Sequence, residues 1–261
     1  MYAKNFPYCL GKFHAMAHRG GAEYSPNLGK ENTLHGFHQA VSLGYRYLET
    51  DLQATKDGLL VCFHDETLDR MAGLSGRVSD YTADELKNVT IGGEPIPFFA
   101  EVVEVFPQTR FNVDLKTNDC VLPLVAMLDS YNLADRILVD SFSQQRISAF
   151  RQLSSPRIPT AMAPLGVAWT ALVPYLSGVV SSPGVALQVP VRNNIGPFNL
   201  QVISPEVIDR VHALGKVIHA WTINDAHEMN VLIDWGIDGI ITDRPDVLKE
   251  ILISRNLWED E

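Results

Sequence analysis

Glu49 and Asp51 are two carboxylates separated by a single residue within the largely apolar stretch 47–53. In an extended strand alternate side chains point to opposite faces, so these two carboxylates share one face. Two like charges this close in an apolar setting are costly unless a cation compensates them, and divalent ions take such oxygen ligands. The pair therefore predicts a divalent-cation site. The competing interpretation is a surface strand with two solvated acids.

Two histidines lie in contexts that suit acid and base chemistry. His18 is followed by Arg19 and two glycines, and His64 is followed by Asp65. An imidazole titrates near neutral pH, so two of them at one rim suggest an acid and base pair. Arg19 is a planar donor suited to a phosphate or carboxylate, and the glycines let backbone approach a ligand closely.

Asp114 and Lys116 repeat the one-residue spacing, so their side chains also share a face of a strand. Lys116 is either a phosphate ligand or only the ion-pair partner of Asp114. Trp221 ends another apolar run, where it either contacts a ligand or packs in the core.

Strand and helix patterns alternate along nearly the whole chain. Helical periodicity covers 33–43, 98–106, 121–131, 144–153, 166–176, 205–214, 226–235 and 245–253. Eight predicted strands precede these helices, and they begin at Phe13, Tyr45, Arg110, Arg136, Ile158, Val185, Val217 and Gly239. Eight such units in 261 residues predict a closed (β/α)8 TIM barrel in one domain, residues 1–261. An open doubly wound sheet is the alternative, but no Gly-x-Gly-x-x-Gly follows the first strand.

The barrel prediction gives the candidate residues a common place, because active sites in this fold lie at the C-terminal ends of the strands. His18, Glu49, Asp51, Asp114 and Trp221 all fall at or near such ends. His64 follows a short hairpin-like extension, 59–63, of the second strand. We expect the segment at about 66–97, with scattered charge and several glycines, to form a small cap-like insertion.

Composition narrows the classes of partner. The net charge of −10 without a basic cluster argues against nucleic acid. Three widely spaced cysteines form no Cys-x-x-Cys pair, and residues 1–12 lack the apolar run of a secretory signal, which favours a cytoplasmic location. Residues 158–191 carry no charge, but prolines and glycines interrupt them, so no transmembrane helix is predicted. Contact at a membrane surface is left open.

Other hydrolytic chemistries lack their sequence patterns. The remaining histidines form no His-Glu-x-x-His arrangement, so we interpret them as structural or surface residues. Ser141 and Ser143 follow the fourth strand, but no Gly-x-Ser-x-Gly motif accompanies them.

An ordered set of short motifs resembles the glycerophosphodiester phosphodiesterase family. The matching pieces span nearly the whole chain in order: His18-Arg19-Gly20, Glu31-Asn32-Thr33, Glu49-Thr50-Asp51, Thr55-Lys56-Asp57-Gly58, His64-Asp65 with Leu68-Asp69-Arg70, Asp114-Leu115-Lys116, Trp221-Thr222-Ile223-Asn224, and Asp238-Gly239-Ile240-Ile241-Thr242-Asp243-Arg244-Pro245. A lone His-Arg-Gly would be a weak signal, whereas this set is specific.

The resemblance implies the barrel fold, an inserted cap after His64, and hydrolysis of a small-molecule glycerophosphodiester to glycerol 3-phosphate and an alcohol. It also implies a divalent cation, commonly Mg or Ca. By the same resemblance His18 and His64 act as general acid and base. Glu49, Asp51 and Asp114 bind the metal, and Arg19 and Lys116 hold the phosphate. From its place at the end of the seventh strand, we also predict that Trp221 contacts the substrate.

The chain departs from the family pattern at three places. Asp114 stands where a longer Glu is usual, Lys30 stands where a proline usually precedes Glu-Asn-Thr, and the insertion is small. Two other enzyme functions share these residues: a lysophospholipase D on a lipid substrate, and a phosphodiesterase that releases a cyclic phosphate. A phosphate-binding protein on a degraded barrel is the non-enzyme alternative, although a binder would need neither histidine.

Overall fold

The strands of the barrel form one curved sheet. The structure is a computed structural model that describes residues 1–167, 183–195 and 198–259. Its strands are β1 (His14–His18), β2 (Tyr47–Ala54), β3 (Leu60–Cys62), β4 (Thr90–Ile91), β5 (Glu94–Pro95), β6 (Arg110–Leu115), β7 (Ile137–Asp140), β8 (Ala186–Val189), β9 (Arg192–Ile195), β10 (Phe198–Gln201), β11 (Val217–Ala220) and β12 (Gly239–Thr242). Parallel neighbours run in the order β7-β6-β2-β1-β12-β11-β8, and β3 pairs antiparallel with β2.

The segment 158–162 closes the ring between β7 and β8. Thr160 bridges to Val139 and Ala161 bridges to Ala186, both in parallel. The predicted fifth strand therefore exists as two isolated bridges rather than a full ladder. Pro159 explains the short pairing, because a proline has no N–H to donate. With this segment the eightfold parallel barrel predicted from the sequence is confirmed.

Helices pack around the outside of the barrel. Their bounds are Leu34–Ser42, Phe99–Val105, Val121–Ser130, Gln144–Leu153, Pro205–Ala213, Ala226–Asp234 and Pro245–Ser254, while the short helices Asp69–Ala72 and Ala83–Leu86 lie in the segment 66–97. Side chains cap several of their N-termini: Thr33 accepts from the N–H of Gly36, and Ser204 accepts from that of Val207. Residues 164–167 are helical, and most of the predicted helix 166–176 lies outside the described residues.

Successive side chains of β2 point alternately into the apolar core and into the barrel interior. Leu48 and Leu52 are fully buried in the apolar core between strands and helices, while Glu49 and Asp51 point into the barrel. At the opposite end, Phe6 and Tyr8 pack with Met16 and Ile241 and close the barrel from below. One open end is therefore left for ligands.

Two further segments lie at this open end of the barrel. Residues 66–97 hold two short helices and the β4–β5 hairpin over an apolar cluster that includes Leu68, Leu86 and Ile91. The antiparallel β9–β10 hairpin was not predicted from the sequence. No helix among the described residues has both the length and the hydropathy needed to cross a membrane.

Candidate active site

One pocket at the C-terminal end of the barrel brings together all eight residues predicted for the site. Its volume is about 140 Å³. The predicted residues that line it are His18, Arg19, Glu49, Asp51, His64, Asp114, Lys116 and Trp221.

Strand register explains why these residues meet. His18 on β1 lies opposite Glu49 on β2, and Asp51 lies opposite Asp114 on β6. Asp114 in turn lies opposite Asp140 on β7. Residues paired across parallel strands share a face, so the carboxylates of Asp51, Asp114 and Asp140 form a row across the floor of the pocket. We call it the acidic row.

Two cationic side chains compensate Asp51, which lies at one end of this row. Lys116 Nζ lies 3.2 Å from Asp51 Oδ1 and 3.0 Å from Asp114 Oδ2, which confirms the ion pair considered from the sequence. Arg19 Nε lies 3.2 Å from Asp51 Oδ2, although the atoms lack hydrogen-bond geometry. Burial raises the pKa of Asp51, but Lys116 and Arg19 outweigh burial and lower it overall.

Burial raises the pKa values of the other carboxylates, so the protein alone does not stabilise their charged forms fully. Burial and the neighbouring Asp51 raise the pKa of Glu49 to about 8. Burial also raises the pKa of Asp114, whose Oδ1 is buried without a hydrogen-bond partner. Burial and Asp114 raise the pKa of Asp140 to about 7. Among the described residues, no His, Cys, Asp and Glu side chains converge as a ready-made group of three metal ligands.

Each of the two predicted catalytic histidines is oriented by a carboxylate. His18 Nδ1 lies 2.6 Å from Asp243 Oδ1, and His64 Nδ1 lies 2.9 Å from Asp65 Oδ1. A carboxylate at Nδ1 fixes the ring and leaves Nε2 for the pocket. Burial alone would lower the pKa of His18, but Glu49 and Asp243 outweigh burial and raise it.

The loop after β1 depends on its glycines. Gly20 has φ +85°, and a Cβ there would lie 2.7 Å from the backbone carbon of Gly36. Arg19 is itself left-handed, with φ +50°, and its N–H donates to Glu49 Oε2 at 3.1 Å. The turn thus fixes both the Arg19 backbone and the Glu49 side chain in the pocket wall.

A charged network ties the segment 66–97 to the rim. Arg70 Nη2 donates to Asp65 Oδ1 at 2.9 Å and to Glu31 Oε1 at 2.8 Å. Arg19 Nη1 donates to the same Glu31 oxygen at 3.2 Å. Arg70 therefore connects the carboxylate that orients His64 with the loop that carries Arg19.

Several residues at the site were not predicted from the sequence. Asp243 and Asp140 received no role, and neither did Asn112, Phe142 and Gln188, which also line the pocket. Asp140 ends β7, and Asp243 directly follows β12. The rule that polar residues at strand ends form the site would have identified both of them.

Comparison with known proteins identifies the family. The sequence profile of the glycerophosphoryl diester phosphodiesterase family matches residues 18–247. The chain belongs to this family. Its members are phosphoric diester hydrolases, so the resemblance drawn from the motifs is confirmed.

Relatives match over almost the full length. A probable glycerophosphodiester phosphodiesterase 2 from Mycobacterium tuberculosis is 33% identical over 94% of this chain and 92% of its own length. The crystal structure of a putative glycerophosphoryl diester phosphodiesterase from Silicibacter pomeroyi superposes with a TM-score of 0.81 at 22% identity, covering 99% of this chain and all of that one. A phosphodiesterase from Oleispira antarctica, solved with the product sn-glycerol 3-phosphate, superposes with a TM-score of 0.76 at 24% identity. The superposition covers 92% of this chain and 96% of that one. These structures share the barrel fold.

Proposed function

We propose that the chain hydrolyses glycerophosphodiesters to glycerol 3-phosphate and an alcohol in the pocket at the C-terminal end of the barrel. The observation that carries the proposal is the pairing of both pocket histidines with carboxylates, His18 with Asp243 and His64 with Asp65. A phosphate-binding protein needs cations for its ligand, but it has no use for two oriented imidazoles. The site therefore suits catalysis better than binding.

In this proposal Arg19 and Lys116 hold the phosphate, and Trp221 forms part of the substrate wall. A phosphodiester monoanion resists attack by an anionic nucleophile, so positive charge must meet the phosphoryl oxygens as the reaction proceeds. Lys116 is only partly buried between its two carboxylates, and Arg19 reaches the same side of the pocket.

His18 and His64 share the proton transfers. One imidazole removes a proton from the attacking water, and the other donates a proton to the departing alcohol oxygen on the opposite side of phosphorus. Both can use Nε2, because Nδ1 of each ring is held by a carboxylate.

Glu49, Asp51 and Asp114 are the residues that would hold a divalent cation, Mg or Ca. The donor set is hard oxygen, Asp114 Oδ1 is buried without a partner, and the raised pKa of Glu49 marks uncompensated negative charge. When bound, the cation supplies positive charge that polarises a phosphoryl oxygen.

We also propose that residues 66–97 act as a cap on one barrel domain that covers residues 1–261. Support comes from Arg70, whose contacts with Asp65 and Glu31 join the segment to the rim beside His64.

The test is a screen of the purified protein against glycerophosphocholine, glycerophosphoethanolamine and glycerophosphoglycerol, with and without chelator. Phosphorus NMR separates glycerol 3-phosphate from a cyclic phosphate. We expect glycerol 3-phosphate, loss of turnover in chelator, and recovery with Mg or Ca. A cyclic product would show intramolecular attack by a glycerol hydroxyl instead of attack by water. Full activity in chelator would reject the proposed cation. No turnover of any diester would reject the proposed function.

A further inference from the structure

A series of hydrogen-bonded polar groups runs through the interior of the barrel beneath the catalytic pocket, and we call it the interior network. It begins at the carbonyl oxygen of Cys9 and continues through the side chains of His14, His219, Gln188 and Asn112. The successive distances between donor and acceptor atoms are 3.1, 2.9, 2.9 and 3.0 Å. All four side chains are buried. The network therefore connects the closed end of the barrel with the floor of the pocket.

Gly239 makes room for the two imidazoles of this network. His14 on β1 and His219 on β11 both lie opposite Gly239 on β12, which runs between them. A Cβ at Gly239 would lie 2.7 Å from Cβ of His14 and 3.0 Å from Cδ2 of His219. Only a residue without a side chain lets the two rings meet edge to face, with centroids 5.0 Å apart. The contact between the imidazoles is thus set by the strand register.

A backbone carbonyl fixes the direction of the hydrogen bonds. The Cys9 oxygen can only accept, so His14 Nε2 carries a proton and donates it. Burial lowers the pKa of both imidazoles, and a neutral imidazole has one N–H and one bare nitrogen. His14 Nδ1 is therefore bare and accepts from His219 Nε2. His219 Nδ1 is bare in turn and accepts from Gln188 Nε2.

The network leaves Gln188 with one orientation of its amide. One hydrogen of Nε2 goes to His219 Nδ1, and the other goes to Asn112 Oδ1. If the amide were turned over, Gln188 Oε1 would face these two acceptors without a hydrogen between them. Buried groups left without partners are costly, so Oε1 is held on the side away from both.

Gln188 and Asn112 are part of the floor of the catalytic pocket. Among the described residues, Gln188 Oε1 and Asn112 Nδ2 have no hydrogen-bond partner, and neither atom is fully enclosed by protein. These two atoms therefore face the cavity. They are neighbours, because a hydrogen bond of 3.0 Å joins the two amides. Asn112 shares a face of β6 with Asp114, so the pair lies directly beneath the acidic row.

An acceptor beside a donor matches a hydroxyl group, which donates one hydrogen and accepts at its oxygen. A phosphoryl oxygen could use only the donor, Asn112 Nδ2, and an ammonium group could use only the acceptor, Gln188 Oε1. The glycerol of a glycerophosphodiester carries its hydroxyl groups next to the phosphate. A phosphate held above the floor by Arg19 and Lys116 would bring one of these hydroxyls to the two amides.

We propose that Gln188 and Asn112 bind a glycerol hydroxyl of the substrate, and that His14 and His219 are positioning residues that hold Gln188 in the orientation this requires. The inference rests on the proposed function and adds to it the groups that distinguish glycerol from an alcohol with fewer hydroxyls. His14 and His219 touch no substrate and act only through the Gln188 amide.

Two deoxy analogues of glycerophosphocholine test the binding of the hydroxyl. 2-Hydroxypropyl phosphocholine lacks the terminal hydroxyl of the glycerol, and 3-hydroxypropyl phosphocholine lacks the middle one. We expect at least one analogue to lose about 10-fold to 100-fold in kcat/KM, because its missing hydroxyl leaves both floor atoms unpaired. Equal kcat/KM for the three diesters would overturn the inference.

Variants connect this selectivity with the network through the ratio of kcat/KM for glycerophosphocholine to kcat/KM for the poorer analogue. Gln188→Met keeps the length of the side chain but removes both polar atoms, so the ratio should fall close to one. His219→Phe keeps a ring and removes both nitrogens, outside the pocket lining. It should lower the ratio at least about threefold, since the Gln188 amide loses a hydrogen bond that orients it.

Val211→Ala is the control for a general loss of stability. It removes buried apolar contacts of the helix Pro205–Ala213 without touching the pocket, and it should keep the wild-type ratio. A wild-type ratio in Gln188→Met would overturn the contact with the hydroxyl. A wild-type ratio in folded His219→Phe would overturn the positioning role.

The tautomers of the wild-type imidazoles test the positioning role without any variant. Long-range proton–nitrogen NMR correlations distinguish an imidazole with its proton on Nε2 from one with its proton on Nδ1. We expect His14 and His219 both to be neutral at neutral pH with the proton on Nε2. A proton on Nδ1 of His219 would require the Gln188 amide to turn over and would overturn the inference.

Failure of the inference can be told apart from failure of the proposed function. If the wild-type protein hydrolyses glycerophosphocholine and both analogues equally well, hydrolysis stands and the floor amides do not select glycerol. If it hydrolyses none of them, the proposed function falls, and calorimetric binding of glycerol 3-phosphate and its two deoxy analogues decides the inference. Tighter binding of glycerol 3-phosphate by wild type but not by Gln188→Met would support the floor site. Equal binding of all three by wild type would overturn it.

Discussion

The carboxylates of the pocket differ in how well the protein compensates them. Asp51 has Lys116, Arg19 and the amide of Asn32 within reach, and its pKa is lowered despite burial. Glu49 accepts a single backbone N–H, from Arg19, and its pKa is raised to about 8 by burial and by Asp51. From this contrast we expect the stability of the protein to depend on pH and, if the proposed cation binds, on metal.

In chelator, Glu49 should make the protein less stable as the pH rises. A carboxyl group with a pKa raised from 4.5 to about 8 binds its proton more tightly in the folded state, so stability falls between these two pH values. Glu49→Gln removes the ionisable group and with it this loss of stability. We expect the variant to melt several degrees above wild type at pH 8 but not at pH 4.5, since about 1 kcal/mol corresponds to 2–4 °C in a domain of this size.

Glu101→Gln is the control for this melting experiment, because Glu101 is an exposed acid on the helix Phe99–Val105. The melting temperature of Glu101→Gln should match that of wild type at both pH 8 and pH 4.5. If Glu49→Gln melts below wild type at pH 8 in chelator, the Glu49 carboxylate is compensated without metal and the cation assignment loses its main support.

Asp114 should decide which cation works best. An aspartate carries its carboxylate about 1.5 Å less far than a glutamate, roughly one carbon–carbon bond. Mg requires short, regular coordination, whereas Ca accepts longer and more irregular oxygen shells. Asp114→Glu should therefore change the ratio of Mg-supported to Ca-supported turnover. Asp114→Asn should weaken metal binding in calorimetry at least about tenfold, the loss that even an outer-shell partner can cause.

Lys116→Ala gives the contrast for Asp114→Asn. It should weaken binding of glycerol 3-phosphate more than binding of the metal. If metal titrations were unchanged in Asp114→Asn, Asp114 would be only the ion-pair partner of Lys116. Glu49 and Asp51 would then be the only proposed carboxylate ligands of the cation.

The two histidines should differ in their response to the leaving group. Loss of a general acid matters less when the departing oxygen is already a good leaving group. An aryl phosphodiester should therefore restore turnover to whichever of His18→Ala and His64→Ala has lost the acid, and not to the other. Equal rescue of both variants in steady-state kinetics would contradict separate acid and base roles.

Residue spacing predicted the paired carboxylates, the histidines and the two cations, because each lies on a strand face or strand end that the pattern defines. It could not predict in the same way that Asp243 pairs with His18. Asp243 is 225 positions from His18 in the chain, and only closure of the barrel between β1 and β12 brings them together.

Among the elements, the segment 66–97 has a single exposed arginine at the rim of the site. Arg70→Ala removes the contacts with Asp65 and Glu31, so His64 loses the group that fixes its carboxylate. We expect kcat to fall about tenfold, in the range that loss of an outer-shell partner causes. Thermal stability should change little, since exposed ion pairs contribute about 0–1 kcal/mol.

Arg77→Ala is the matched variant within the same segment. Arg77 pairs with the exposed Glu66, away from the pocket lining. Its kcat should equal that of wild type. Equal kcat in both arginine variants, compared by initial rates at saturating substrate, would show that the segment does not act on His64 through Arg70.

Element prediction succeeded where local signals were strong. Helices with Ser, Thr or Asp caps and apolar periodicity lie within a residue or two of their predicted bounds, as for Gln144–Leu153. The fifth strand was predicted as a regular strand, but Pro159 limits its pairing to two bridges. The β9–β10 hairpin was missed because β9 begins with three polar residues in a row, Arg192-Asn193-Asn194, and so gives no strand pattern to pair with the alternating residues of β10.

At the scale of the whole molecule, the barrel gathers residues from His18 to Asp243 at one rim and closes the other end with Phe6 and Tyr8. Parallel strands carry all their C-terminal ends to the same side, so catalytic groups from distant parts of the chain need no long loops to meet.

We propose that this rim hydrolyses glycerophosphodiesters through His18 and His64. The most direct measurement is the rate of glycerol 3-phosphate release from glycerophosphocholine by wild type, by the His18→Ala/His64→Ala double variant, and by His227→Ala, which changes an exposed histidine outside the pocket. With Mg or Ca present, the double variant should lose at least about 10,000-fold in kcat/KM, because each acid or base group contributes about 100-fold to 10,000-fold. His227→Ala should match wild type. A double variant within tenfold of wild type, still folded by its melting curve, would contradict the account.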